Sequence, residues 1–299
     1  MATTKRESGG TQPGRRGVIA PILLTVALLA AAGAVVFWSI SPANTLGNLE
    51  HEEESAFSRI RVRRDGDVRA MTFVRGYGQE VVQSRVNLTA PHTLVAPYAR
   101  AMFASYLYQP QPKRVLIVGL GGGAMVHFLT HHDSQVQIDA VEIDPVVVRL
   151  ADQYFNVRAG GNVRVHTADA MAFIEATTDR YDLILMDAFL RPSSDTDATG
   201  VPTGLKTVAF LNRLRQALAP GGVVAFNINE HEHMTDDIAA VSAAFGHAAV
   251  YRCPPSDNKV VIATEGALAT DDELRARSRE LDARFGGTLP FAEVLRNRE

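Results

Sequence analysis

Residues 114–124 read RVLIVGLGGGA, an apolar run that ends in Gly119-Leu120-Gly121-Gly122-Gly123. A short apolar run that stops at clustered glycines and passes into a helical pattern marks a buried strand, a tight turn and a helix start. Glycine at such a turn accepts positive φ and lets a ligand approach the backbone. The helix start behind it offers free N–H groups and the positive end of a dipole. Standing alone, the cluster equally suits a turn that merely needs small residues.

The pattern recurs downstream. QIDAVEI (137–143), VRVHTAD (163–169), YDLILMDA (181–188) and GGVVAFNI (221–228) are strand candidates separated by helical stretches, and AAVYRC (248–253) and KVVIAT (259–264) follow. Strands alternating with helices predict an α/β, Rossmann-like, mostly parallel sheet. Their continuous apolar character fits burial on both faces. Ligands of such sheets sit beyond the carboxyl ends of the strands, where the strand order reverses. The residues that end the strands are Gly119–Gly123, Glu142, Asp169, Asp187 and Asn227.

Upstream, Arg59-Ile60-Arg61-Val62-Arg63 alternates with period two before an Asp65-Gly66-Asp67 turn, and Val68–Val74 and Glu80–Val86 continue it. This predicts a small antiparallel β-domain. His92–Tyr108 reads as a helix, and Asp271–Phe285 as a charged peripheral one. The organisation that follows is a basic tail (1–16), an apolar span (17–40), a polar linker (41–56), a small β-domain with a helix (57–110), the Rossmann-like domain (111–268) and a helical tail (269–299).

Gly17–Ile40 contains no charged residue. As a helix it would be about 36 Å long, enough to cross a hydrocarbon core of about 30 Å. A retained single-span anchor is the leading reading, with a cleaved secretory signal or a buried core helix as alternatives. Lys5, Arg6, Arg15 and Arg16 precede it against the single Glu7, which predicts a cytoplasmic N-terminus. The side on which the main domain lies stays open. The chain has 299 residues, 46% hydrophobic and 21% charged, which excludes wholly disordered and low-complexity classes. A net charge of −3 argues against a nucleic-acid binder, and the single Cys253 excludes an internal disulfide framework.

Glu142 follows Gly119 by 23 residues, near the spacing of an acid that accepts from both ribose hydroxyls. Asp169-Ala170 ends the third strand, where a carboxylate can take an adenine amino group; it also suits the cap of the next helix. His231-Glu232-His233 lacks a third partner at metal-ligand spacing, so it is read as solvent-facing, and no metal is expected. Asp195, Asp197, Glu230 and Glu232 fall in loops that follow strands. They are read as solvated, with an acidic mouth around Asp187 as the sharper alternative.

In this order the glycine loop, VEIDP (141–145), ADA (168–170) and DLILMDAF (182–189) resemble the class I S-adenosylmethionine-dependent transferases, and more narrowly the spermidine synthase (polyamine aminopropyltransferase) family. The likeness spans roughly Arg59–Thr264, and Val82-Gln83-Ser84 resembles the family's Gln-containing strand. The resemblance implies a nucleoside site formed by Gln83, Gly119, Gly121, Gly123, Glu142, Asp169 and Ala170. It implies Asp187 as the acceptor of the attacking amine's proton. The co-substrate would be decarboxylated S-adenosylmethionine or S-adenosylmethionine, with a small cationic amine as partner and a possible homodimer.

Two positions depart from the family. Gly122 stands where the family's loop carries the aspartate that holds the donor's amino group, and Asp187-Ala188-Phe189-Leu190-Arg191-Pro192 lacks the second aspartate of Asp-Ser-Ser-Asp-Pro. Aminopropyl transfer to a polyamine such as putrescine is the leading reading. Methyl transfer and a non-catalytic nucleoside-binding protein of the same fold are the alternatives.

Overall fold

The computed structural model describes residues 46–299 and the first two residues of the chain. Alternation decides its first layer. In β2 (Arg59–Asp65) Ile60 and Val62 turn into the core while Arg61 and Arg63 lie half-buried on the opposite face. β1 (Asn48–Glu54), β2, β3 (Val68–Val74) and β4 (Glu80–Asn87) form an antiparallel meander in that order. β1 was missed in the expected linker, because its Glu-rich run has no apolar face. Its acids pair with basic residues instead: Glu52 with Arg59 and Arg61, and Glu50 with Arg69.

One ion cluster in this sheet is nearly dry. Glu80, with its side chain 3% exposed, accepts from Arg61 Nη1 at 2.6 Å, Arg63 Nε at 2.7 Å and Thr72 Oγ1 at 2.9 Å. Burial alone would raise the carboxyl, but the arginine hydrogen bonds overcome it and hold Glu80 down at about 2. The stabilisation is therefore present above the ordinary carboxyl range and lost as pH falls toward 2. Glu80→Gln should lower unfolding free energy at pH 7 by roughly 2–4 kcal/mol, because it leaves the half-buried Arg63 without a carboxylate and Arg61 with Glu52 alone. Urea melts at pH 7 and pH 3 should show that loss shrinking with acid.

The second sheet has seven strands: β5 (Arg114–Val118), β6 (Gln137–Glu142), β7 (Val163–Thr167), β8 (Tyr181–Met186), β9 (Leu218–Ile228), β10 (His247–Cys253) and β11 (Ser256–Thr264). Their order is β10-β11-β9-β8-β5-β6-β7, with β11 antiparallel to both of its neighbours and the other strands running one way. Val115 and Ile117 enter the core on one face, and Leu116 and Val118 enter it on the other. This explains why β5 reads as an uninterrupted apolar run. Chain order reverses between β5 and β8, so their carboxyl ends lie side by side with a crevice beyond them.

The helices are α1 (Pro97–Met102), α2 (Ala124–His132), α3 (Pro145–Phe155), α4 (Ala170–Ala176), α5 (Val208–Gln216), α6 (Met234–Phe245), α7 (Asp271–Arg284) and α8 (Phe291–Arg296). The helix expected over 92–108 begins only at Pro97, which holds Ala96 extended; beyond Met102 it continues as a 3-10 stretch to Leu107. α3 starts cleanly because Pro145 occupies its first turn and Asp144 caps the Val146 N–H. Asp144 also accepts from Ser55 Oγ, in the turn between β1 and β2. α7 carries a capping box from Thr270 and Glu273, and it buries Leu274 and Leu281. α8, inside the tail expected to be helical, inserts Phe291 beside Tyr106 and Phe285.

The placement expected for the chain, a single-pass membrane protein, is corrected: among the described residues no helix is long and apolar enough to cross a membrane. The 17–40 span and the 1–16 tail themselves lie outside the described residues.

Candidate active site

A cleft of about 950 Å³, open to solvent, lies beyond the β5–β8 switch. All eight residues singled out from the sequence line it: Gln83 from β4, Gly119, Gly121 and Gly123 from the turn, Glu142 from β6, Asp169 and Ala170 at the start of α4, and Asp187 after β8. Among its described lining residues none is Lys, Arg or His. The cleft therefore presents three carboxylate side chains, Glu142 and Asp187 in its interior and Asp169 at its exposed edge, without a basic neighbour among the described lining residues.

The glycine turn sets this geometry. Gly119 has φ of 93°, and a Cβ there would stand 2.1 Å from the backbone oxygen of Asp187. Only glycine lets β5 and β8 finish this close together. The Gly119 N–H bonds Val141 O at 2.8 Å, and the Asp187 N–H bonds Val118 O at 2.8 Å, which locks the turn between its neighbours. Gly122 is tight for another reason: a Cβ would lie 2.8 Å from the Phe155 ring and 3.0 Å from Ser84 Oγ. The aspartate of the family's loop has no room here unless Phe155 moves. Phe155, Ser84 and Gly122 thus form one local arrangement.

Glu142 is buried, and its two oxygens accept from the Leu120 and Asp144 N–H groups, each at 3.0 Å. Burial pushes its carboxyl up, opposed by these backbone bonds. Each oxygen keeps a lone pair for a ligand hydroxyl. Asp169 caps α4 through a bond from the Ala172 N–H at 2.9 Å, so the capping reading of this residue is correct. Its other oxygen has no such bond, and the residue lines the same cleft.

Asp187 is half-buried in the cleft wall. Crowding by protein pushes its carboxyl up to about 7, against the hydrogen bond of Asn227, with the Glu142 charge adding to the rise. Asn227 Nδ2 donates to Asp187 Oδ1 at 2.8 Å. The Tyr98 hydroxyl, beside Asp187, gives its hydrogen to Gln83 O at 2.9 Å, which leaves Asn227 as the firmer partner. Tyr98 falls within the helix expected over 92–108, and nothing in its sequence neighbours marks it as part of a site.

The acidic mouth is corrected. Asp197 does not join Asp187; it caps its own loop, accepting from the Thr199, Gly200 and Val201 N–H groups, and it pairs with Lys206. Asp195, Glu230 and Glu232 are exposed. His231 is corrected too: its side chain is only 8% exposed, and it bonds Asp237 at 3.0 Å rather than facing solvent. Asp197, His231 and Asp237 stand close enough to hold a cation, but Lys206 Nζ already pairs with both aspartates.

Comparison with known proteins agrees with this architecture. The spermine/spermidine synthase domain matches residues 100–267. A polyamine aminopropyltransferase of Vibrio vulnificus is 30% identical over 285 residues, covering 93% of this chain and 90% of that protein. A probable spermidine synthase from Corynebacterium glutamicum superposes with a TM-score of 0.63 at 23% identity, over 78% of this chain and 86% of that one. Human methyltransferase-like protein 13, solved in complex with SAH, gives a TM-score of 0.58 at 26% identity, over 64% of this chain and 93% of that one. With its sheet order, its glycine turn and a matched domain over more than half its length, the chain belongs to the spermine/spermidine synthase family of transferase enzymes.

Proposed function

We propose that the cleft transfers an aminopropyl group from decarboxylated S-adenosylmethionine to a polyamine such as putrescine, releasing methylthioadenosine. One observation carries this reading: Asp187 sits against the glycine turn, in the same cation-free cleft as Glu142, with its carboxyl raised to about 7. Glu142 takes the ribose hydroxyls on its remaining lone pairs. The free oxygen of Asp169 and the backbone of Ala170 meet the adenine edge. Gln83 covers the nucleoside from β4. Gln83 and Ser84 supply polar groups for the donor's amino group in place of the aspartate that Gly122 lacks.

The amine must shed a proton before its lone pair can attack the methylene carbon beside the sulfonium. Asp187 orients the ammonium and takes that proton. The new C–N bond forms as the C–S bond breaks, and its electron pair returns to sulfur. A carboxylate with a pKa near the working pH suits this transfer better than one near 4.

The test is product analysis with decarboxylated S-adenosylmethionine and putrescine. Aminopropylated amine and methylthioadenosine in equal amounts are expected; a methylated product, or none, overturns the reading. Because Asp187 must be ionised to accept a proton, kcat/KM should climb as pH rises through about 7 and flatten above it.

A further inference from the structure

A recess of about 440 Å³ lies between α1, the end of β10 and α8. α1 is a wall of two spaces: Tyr98 and Ala99 line the cleft, while Pro97, Arg100 and Ala101 line the recess. The buried Ala101, Leu289 and Val294 give the recess an apolar floor. Pro97, Pro254 and Pro290 stand in its wall, each with its own φ fixed by its ring. The C-terminal segment is fastened to β10 by the Arg252 N–H on Asn297 O and the Glu299 N–H on Val250 O, each at 2.9 Å. The recess is therefore preformed, which spares a ligand the cost of ordering it.

Three charged side chains line this space: Arg100, Arg252 and Glu293. All three are exposed, and none makes an ion pair or a side-chain hydrogen bond among the described residues. Arg61, Arg63 and Arg69 of the meander, by contrast, all pair with acids. Opposite charges that share one small recess without closing on each other leave a gap for a molecule that carries both. Guanidinium groups take a carboxylate through charge-assisted, often bidentate hydrogen bonds, and a carboxylate takes an ammonium. A simple anion would meet Glu293, and a simple amine would meet two guanidinium groups. A free α-amino acid satisfies all three, with a side chain to lay on the floor. Among the described lining residues the one nucleophile is Cys253, a thiol that burial pushes up to about 12 and so keeps protonated. The recess is equipped to bind, not to react.

We propose that this recess binds a free α-amino acid, its carboxylate on Arg100 and Arg252, its ammonium on Glu293 and its side chain over Leu289 and Val294. Occupancy ties α1 to α8 and β10, and so steadies the helix that carries Tyr98 into the cleft. The inference goes beyond the transfer reading and does not depend on it.

The full chain would be screened by thermal melting against the common L-α-amino acids, each at about 10 mM. At least one should raise the melting temperature, with a calorimetric Kd below about 1 mM. Its α-amide, which lacks the carboxylate, and its deaminated acid, which lacks the ammonium, should each bind about tenfold more weakly. Arg252→Gln and Glu293→Gln, both at exposed positions, should leave the unliganded melt unchanged and weaken binding by about tenfold each. Backbone hydrogen exchange over Pro97–Met102 should slow severalfold at saturation. No shift with any amino acid, or binding that survives both substitutions, overturns the site. Unaltered exchange over α1 overturns its steadying role.

Discussion

Asp187→Asn is expected to abolish nearly all turnover while making the protein more stable at pH 8. The amide cannot take a proton from the attacking ammonium, so kcat should fall by about 10²–10⁴-fold. The amide oxygen still accepts from Asn227, so binding of methylthioadenosine should persist. Stability follows from linkage. The Asp187 carboxyl titrates near 7 in the folded chain but near its ordinary value when unfolded. Its contribution to stability is complete below about 4 and is lost as pH rises through about 7, leaving a penalty on the order of 2–4 kcal/mol at pH 8. Asparagine carries no such penalty, so the melting temperature should rise by roughly 5 °C at pH 8. The gain should fade by pH 5, where the unmodified side chain is already neutral when folded. Full activity in the variant would remove Asp187 from the mechanism.

Gly119→Ala should be nearly as damaging, for a steric reason. The new methyl would stand 2.1 Å from the Asp187 backbone oxygen, at a φ of 93° that L side chains rarely adopt. The turn and the β8 tip must separate, carrying Asp187 with them. Misplacement of a reacting group by about 1 Å costs about 10²-fold in rate. Stability should drop by roughly 2–4 kcal/mol as strain and clash add. Gly246→Ala is the control: φ there is 86°, but nothing lies within 4 Å of the added carbon. It should cost some stability and leave the rate alone. Equal rates in Gly119→Ala and the parent would show that the turn does not position the site.

The sheet and its cleft were legible because each clue was local. β5 and β8 are continuous apolar runs that lead into glycine or acid, β6 ends on Glu142, and the switch rule converts those ends into neighbours without further information. Asp169 shows the limit of that logic, since it both caps α4 and faces the cleft. β1 was illegible because its side chains are satisfied by arginines on β2 and β3, partners that hydropathy does not register. His231 and Asp197 were read as solvated because charge is the only local property they display. Their burial comes from Lys206 and Asp237, the latter 40 positions after Asp197 along the chain. Tyr98 reaches the cleft through packing alone.

Asp144 hands its backbone N–H to Glu142, its side chain to the first turn of α3, and a carboxylate oxygen to Ser55. The acid assigned to the sugar is therefore moored to a hairpin that contributes no atom to that sugar. Insertions or grafts in the β1–β2 connection would be felt as altered donor affinity, even though the matched domain begins only at residue 100. The meander is in this sense part of the recognition apparatus, and a fragment trimmed to the conserved domain would arrive with its anchor cut.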